Sequence, residues 1–167
     1  MARPPEFDRA AAVRAARGVF WARGFPGTSM KALEAATGLQ PGSLYAAFGS
    51  KEGLFREALA DYVQAVVAAA VRPGVAPREQ IRRWFAAMVD AAVDDGGRGC
   101  LILHGAAELA HHDAESRAAV QEELGRLVGF FAACVAAARP ELGAEAVADR
   151  AGLLVAALAG ISAWSRA

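Results

Sequence analysis

Apolar residues recur along this chain at intervals of three and four and hardly ever at two. From Asp8 to Arg23 they form the line Ala12, Val13, Ala16 and Phe20; after Ser50 they come in doublets, Leu54/Phe55, Ala58/Leu59, Tyr62/Val63 and Val66/Val67. Such spacing gives a helix one dry face, and the abundant alanine favours the same state. The pattern predicts an all-α protein. Breaks at Gly24 to Gly27, Gly38, Gly49-Ser50, residues 72–77, 94–99, His112-Asp113 and residues 139–143 divide it into about eight helices. Asp8 is the expected cap of the first helix, and Thr28 or Ser29 that of a short second one whose Met30 and Leu33 face inward. A third short helix starts at Pro41, where a missing N–H costs nothing, and stops at Gly49. The fourth, about 21 residues or roughly 31 Å long, reaches from this small unit into the remainder of the chain.

Two short helices joined by a glycine-containing turn, the second opening on proline, outline a helix-turn-helix. In that arrangement Gln40, Pro41, Gly42 and Ser43 stand at the end of the reading helix that meets base edges. Gly42 and Ser43 are small enough for close approach, and Gln40 has the donor and acceptor for adenine. Tyr45 lies one turn on, within reach of a phosphate, while Leu44 and Phe48 anchor the helix from behind. Lys51, with the first N–H groups of the fourth helix, makes a positive point suited to another phosphate.

Charge adds a modest asymmetry. The chain of 167 residues is neutral overall, yet residues 1–60 hold eight basic against five acidic side chains, and the remainder holds the reverse excess. A basic module on an acidic body points toward an anionic partner. Met1 to Val13 lacks the apolar core of a secretory signal, and two cysteines, Cys100 and Cys134, are too few for a disulfide framework. A cytoplasmic location is therefore expected. The longest uncharged run, between Arg150 and Arg166, falls short of the roughly 18 apolar residues of a membrane span and reads as a buried helix; no membrane partner is expected.

The linked features Gly24-Phe25, Thr28-Ser29, Gly38, Leu44-Tyr45, Phe48 and Lys51-Glu52-Gly53-Leu54-Phe55 carry a family resemblance. The run from Gly24 to Phe55 resembles the DNA-binding domain of the tetracycline-repressor (TetR) family of bacterial transcription regulators, and the likeness extends over about residues 8–60. It implies a helix-turn-helix DNA-binding domain over residues 1–50 and a helical ligand-binding and dimerisation domain over residues 51–167. It further implies a homodimer on a palindromic operator in double-stranded DNA, released by a small-molecule inducer or an oxidative signal. By position, Thr28, Ser43, Tyr45 and Lys51 carry over as phosphate or base contacts. The candidate DNA-binding set is then Thr28, Ser29, Gln40, Pro41, Gly42, Ser43, Tyr45 and Lys51. Two positions depart from the family pattern: Gln40 replaces a better N-cap, and Glu34 stands where a small residue is common.

In the body, Trp84, Phe85, Met88, Leu103 and Phe131 are the candidate lining of a ligand pocket. Gly152, Ala156 and Gly160 recur every four residues, with Trp164 continuing the row, a surface against which a second copy can pack closely. Cys100 opens a helix beside Arg98, where N–H groups and a cation would lower its pKa and suit it to sensing oxidants or electrophiles. Cys100, His104, Glu108 and His111 share one helix face, but about 16 Å of axis separates the ends, too far for one ion, so no metal site and no cofactor is expected. Glu108 and His111 match half of a di-iron motif without its second half, and no nucleophile elbow or phosphate loop occurs. The sequence does not read as an enzyme; the competing class is an all-helical ligand- or metal-binding protein without sequence-specific DNA binding.

Overall fold

The computed structural model describes residues 7–94, 99–109 and 114–164. Among the described residues there are eight helices and no strands: α1 (Arg9–Arg23), α2 (Met30–Thr37), α3 (Pro41–Phe48), α4 (Lys51–Ala70), α5 (Pro77–Asp94), α6 (Leu101–Leu109), α7 (Ala114–Ala138) and α8 (Ala144–Trp164).

Local chemistry sets the first four. Asp8 caps α1 by accepting from the Ala11 amide at 2.9 Å, Ser29 caps α2 through Ala32, and Ser50 caps α4 through Gly53. Gly38 ends α2 in the left-handed region, φ 71°, which a residue with a Cβ adopts at a cost. Gln40 makes no capping bond to α3, as its poor standing as an N-cap anticipates; Pro41 occupies the first turn. The expected apolar lines are the buried ones: Ala12, Val13, Ala16 and Phe20 on α1, and Leu54, Phe55, Ala58, Leu59, Tyr62 and Val63 on α4.

The core of the N-terminal unit is aromatic. Phe20, Phe25 and Phe55 form a triangle with ring centroids 5.0–6.1 Å apart, Phe55 set edge-on to both others. Helix α1 lies across α4 and α2, and α3 bridges α2 and α4. Helix α4 then meets α6 and α7, while α7 and α8 form an antiparallel pair backed by α5.

Helix α8 departs from the expectation of a buried helix. Only Ala151, Leu158 and Ser162 are buried on it; Leu154 and Val155 are half-buried against the core, and Gly152, Leu153, Ala156, Ala157, Gly160 and Trp164 are exposed. By length and composition it also reaches the range of a membrane span, with a mean hydropathy of 1.5 over eighteen residues of which 17% are buried. Apolarity alone does not distinguish a core helix from an exposed one, and much of α8 is exposed.

Candidate nucleic-acid interface

Helix α3 turns two faces to different surroundings. Leu44 and Phe48 are buried against α2 and α4, whereas Gln40, Pro41, Gly42, Ser43 and Tyr45 are exposed, Tyr45 by 50%. A Cβ added at Gly42 would meet nothing within 4 Å, so the backbone of the first turn lies open. The far end of α3 is fixed by Arg9, which donates to the Ala47 carbonyl at 2.9 Å, pairs with Glu57 on α4 and lies 4.4 Å from the Phe48 ring centroid. Nothing in the sequence marked Arg9, because its three partners lie 38 to 48 residues away or on another helix.

Two expected contacts stand differently. Thr28 is only 1% exposed, and its hydroxyl donates to the Gly24 carbonyl at 2.7 Å; it closes the α1–α2 turn and its side chain is withdrawn from any partner. Ser29, beside it, is exposed but already accepts the Ala32 amide. Lys51 is half-buried with its ammonium 4.2 Å from the Phe25 ring centroid, and burial holds its pKa below the ordinary amine value against the raising effect of Glu52. Its charge is therefore seated on the aromatic core at the start of α4.

Helix α6 is tied to this unit at both ends. At its start the Trp21 indole donates to the Gly99 carbonyl at 2.8 Å; near its end Glu108 accepts the Phe25 amide at 2.8 Å. Gly105 between them seats α6 on Phe55, whose ring carbon would lie 3.0 Å from an added Cβ. In the sequence Glu108 and His104 share one helix face with Cys100 and His111, and nothing there pairs Glu108 with Phe25. Among the described residues no group of three metal-capable side chains occurs; His111, His112 and Arg98 lie outside them.

The expected lowering of the Cys100 pKa is corrected. The residue is 6% exposed, the Tyr62 hydroxyl donates to its Sγ at 3.6 Å, and the Cys100 amide is taken by Ser162 Oγ, which lies 3.1 Å from His104 Nε2. Burial pushes the thiol above its ordinary value, and neighbouring amides and Tyr62 only partly offset this. The helix start that was to favour thiolate is enclosed by α4 and α8.

In the body, Trp84 sits 4.8 Å from Phe130 and 5.3 Å from Phe131, and Phe85 lies 6.3 Å from Phe131. Met88 and Leu103 are half-buried against the same core. Two open clefts of about 370 Å³ lie elsewhere: one between the starts of α4 and α7, the other between α5 and the α7–α8 pair. Gly152, Ala156, Gly160 and Trp164 all face outward on α8, and Trp164 is 84% exposed. Gly125 and Gly129 on the adjoining α7 are equally open.

A three-helix head with an exposed reading helix, carried on a longer helix into an all-helical body, defines the architecture of a helix-turn-helix transcription regulator. Comparison with known proteins agrees. Residues 12–58 match the family described as bacterial regulatory proteins, tetR family. The TetR family transcriptional regulator CifR, solved with a 26 bp double-strand operator DNA, is 33% identical with a TM-score of 0.73, over 99% of this chain and 90% of that one. A TetR-type regulator from Streptomyces avermitilis is 27% identical with a TM-score of 0.77, over 95% and 85%. Among curated sequences, the HTH-type regulator YezE of Bacillus subtilis is 35% identical over 119 residues, 69% of this chain and 61% of its own length. The repressor BdcR of Escherichia coli is 32% identical over 126 residues, 69% and 59%. The chain thus spans about three-fifths of these curated relatives. It belongs to the TetR family of transcriptional regulators.

Proposed function

We propose that the protein is a cytoplasmic, homodimeric repressor that reads a palindromic operator with α3 and is released by a signal received in its helical body. The observation that carries this reading is the two-faced α3, whose apolar side is locked by Leu44, Phe48 and Arg9 while Gln40, Gly42, Ser43 and Tyr45 stand clear. Gln40 and Ser43 read base edges in the major groove. Gly42 lets the backbone approach, Tyr45 donates to a phosphate, and Ser29 and Lys51 supply phosphate contacts from the flanking helix starts. Residues 1–50 form the reading head; residues 51–167 hold the ligand seam around Trp84, Phe85, Met88, Leu103 and Phe131.

Dimerisation falls to the outward row Gly152, Ala156, Gly160 and Trp164 on α8, where small residues allow a second α8 to approach. An oxidant or electrophile acting on Cys100 would first have to open the start of α6, since Tyr62 and Ser162 close over it. CifR, bound to a double-strand operator in its solved structure, supports assigning the same class of partner here.

The test is selection of random duplexes on the purified protein at moderate salt, with sequencing of the enriched pool. An enriched inverted repeat is the expected result; a folded dimer that enriches nothing would contradict the reading. On the selected duplex, Tyr45→Phe and Lys51→Ala should weaken binding across sequences, whereas Gln40→Ala should relax preference at one base pair by about 1–3 kcal/mol.

A further inference from the structure

We propose that the end of the body far from the reading head takes an organic acid, one carboxylate on an apolar tail, in the cleft between α5 and the α7–α8 pair. This names a ligand class for the body, and so rests on the reading of that body as ligand-binding. The cleft, about 370 Å³, lies within the roughly 300–1,000 Å³ range of small-molecule sites. Its floor is Ile81, Val135, Ala138 and Leu154. Three guanidiniums stand around it, each from a different element: Arg78 in the first turn of α5, Arg139 just past the end of α7, and Arg150 on α8.

Charge is what makes the cleft specific. Among the described residues no carboxylate lines it, in a chain that is neutral overall. Glu141, just outside, pairs with Arg139, and that bond holds the Glu141 carboxyl below its ordinary range, with Arg150 adding to the effect. Arg150 donates to the Ala146 carbonyl through one nitrogen, which leaves most of its fork to offer. Planar guanidiniums present paired N–H groups that match a carboxylate, while the floor beneath offers only apolar atoms.

The cleft also points somewhere. On α5, Ile81 is one turn from Trp84 and Phe85; on α7, Val135 is one turn from Phe131. A carboxylate held at the arginines would lay its tail on Ile81, Val135 and Leu154, the side of the cleft backed by those rings, which contact one another through Trp84 and Phe131. Inorganic phosphate could satisfy the rim but would leave the floor wet, so an apolar tail is required for tight binding. The volume suits a short chain or a single ring rather than a peptide helix.

Calorimetric titration of the full chain with octanoate, octanol and octylamine tests this. Octanoate should bind at least about tenfold tighter than octanol, and octylamine more weakly than either. The double substitution Arg78→Gln with Arg150→Gln should bring octanoate down to the level of octanol and leave octanol unchanged. Glu141→Gln should tighten octanoate severalfold by freeing Arg139. Equal binding of octanol and octanoate, or octanoate affinity unmoved by the double substitution, would overturn the proposal while leaving a ligand-binding body intact. Failure of every probe to bind would overturn the proposal as well, without touching the operator selection.

Discussion

Glu108→Ala isolates the tie between body and head. The substitution removes the acceptor of the Phe25 amide, a bond of 2.8 Å across 83 residues of sequence, next to a ring that is itself buried. A hydrogen bond to a charged acceptor contributes about 1.5–3 kcal/mol, so opening of the α1–α2 turn from α6 should become about 10- to 150-fold easier. Amide exchange followed by NMR reads this directly: the Phe25 amide should lose about that much protection. Gly24, whose amide bonds to the Phe20 carbonyl within the same turn, serves as the internal control and should change far less. Glu108→Gln keeps an acceptor and should restore most of the protection. Gly24 supplies a second reading of the same contact. Its φ of 70° and ψ of 172° lie in a region that is essentially glycine's alone, and an added Cβ would sit 2.7 Å from Glu108 Oε1. Gly24→Ala should therefore cost about 1–3 kcal/mol for the backbone, plus the clash. In the Glu108→Ala background only the backbone cost remains, so the double variant should be more stable than the two single losses predict. Phe25 exchange in Glu108→Ala within about twofold of the wild type would refute the reasoning, because the bond would then hold nothing.

Ser29→Ala and Ser50→Ala each remove a capping bond and should each cost about 1 kcal/mol in urea unfolding, whereas Gln40→Ser, which adds a cap where none exists, should stabilise the chain by a similar or smaller amount. Burial raises the pKa of Tyr62 most strongly through desolvation and then through Cys100, and raises Cys100 as well. The unfolded chain ionises both groups first as pH rises, so stability should be intact at neutral pH, begin to fall above about 8.5 and fall more steeply above about 10. Tyr62→Phe should flatten that alkaline loss of Tm, and an unchanged slope would show that the pair does not govern it. Gly160→Leu on the open face of α8 should shift the protein toward monomer in light scattering; an unchanged dimer would move the interface elsewhere.

The parts of the fold legible in the sequence are those fixed within a few residues of themselves. Asp8, Ser29 and Ser50 cap their helices through amides three residues on, and the doublets of α4 bury the face their spacing marks. Thr28 was misplaced although its own turn explains it: a hydroxyl that finds the carbonyl four residues back no longer needs solvent or a partner. The pKa direction of Cys100 is reversed for the opposite reason. A helix start and an arginine are visible locally, but the desolvation that dominates its thiol comes from Tyr62 on α4 and Ser162 on α8, distant in the chain. Glu108 was visible as part of a stripe, yet its role depends on an amide that no periodicity relates to it. On α8 the row Gly152, Ala156, Gly160 and Trp164 marks an outward face in the sequence, but how far the exposure extends is hidden because a core and an interface select the same side chains.

Ion pairs inside the protein set how strongly salt should govern its grip on DNA. The first 60 residues carry eight basic side chains, but the structure commits several of them internally. Arg9 pairs with Glu57, Arg17 with Asp61 at 2.7 Å, and Arg56 with Glu115 at 2.9 Å. These contacts fasten α1 to α4 and α4 to α7, so they hold the reading head in place rather than meeting phosphates. Lys31 and Arg23, both exposed, and Lys51 at the start of α4 are head cations without a carboxylate pair among these contacts, about three per protomer and about six per dimer. Each neutralised phosphate contributes about −0.9 to the slope of log K against log salt, which sets an expected slope of about −5. Titration of the selected operator across a range of potassium chloride measures it. A slope steeper than about −8 would mean that the internal pairs open on DNA and lend their arginines to the backbone. The head would then be held less rigidly in the complex than in the free protein, and Glu57→Gln, which frees Arg9 in advance, should tighten binding instead of loosening α3.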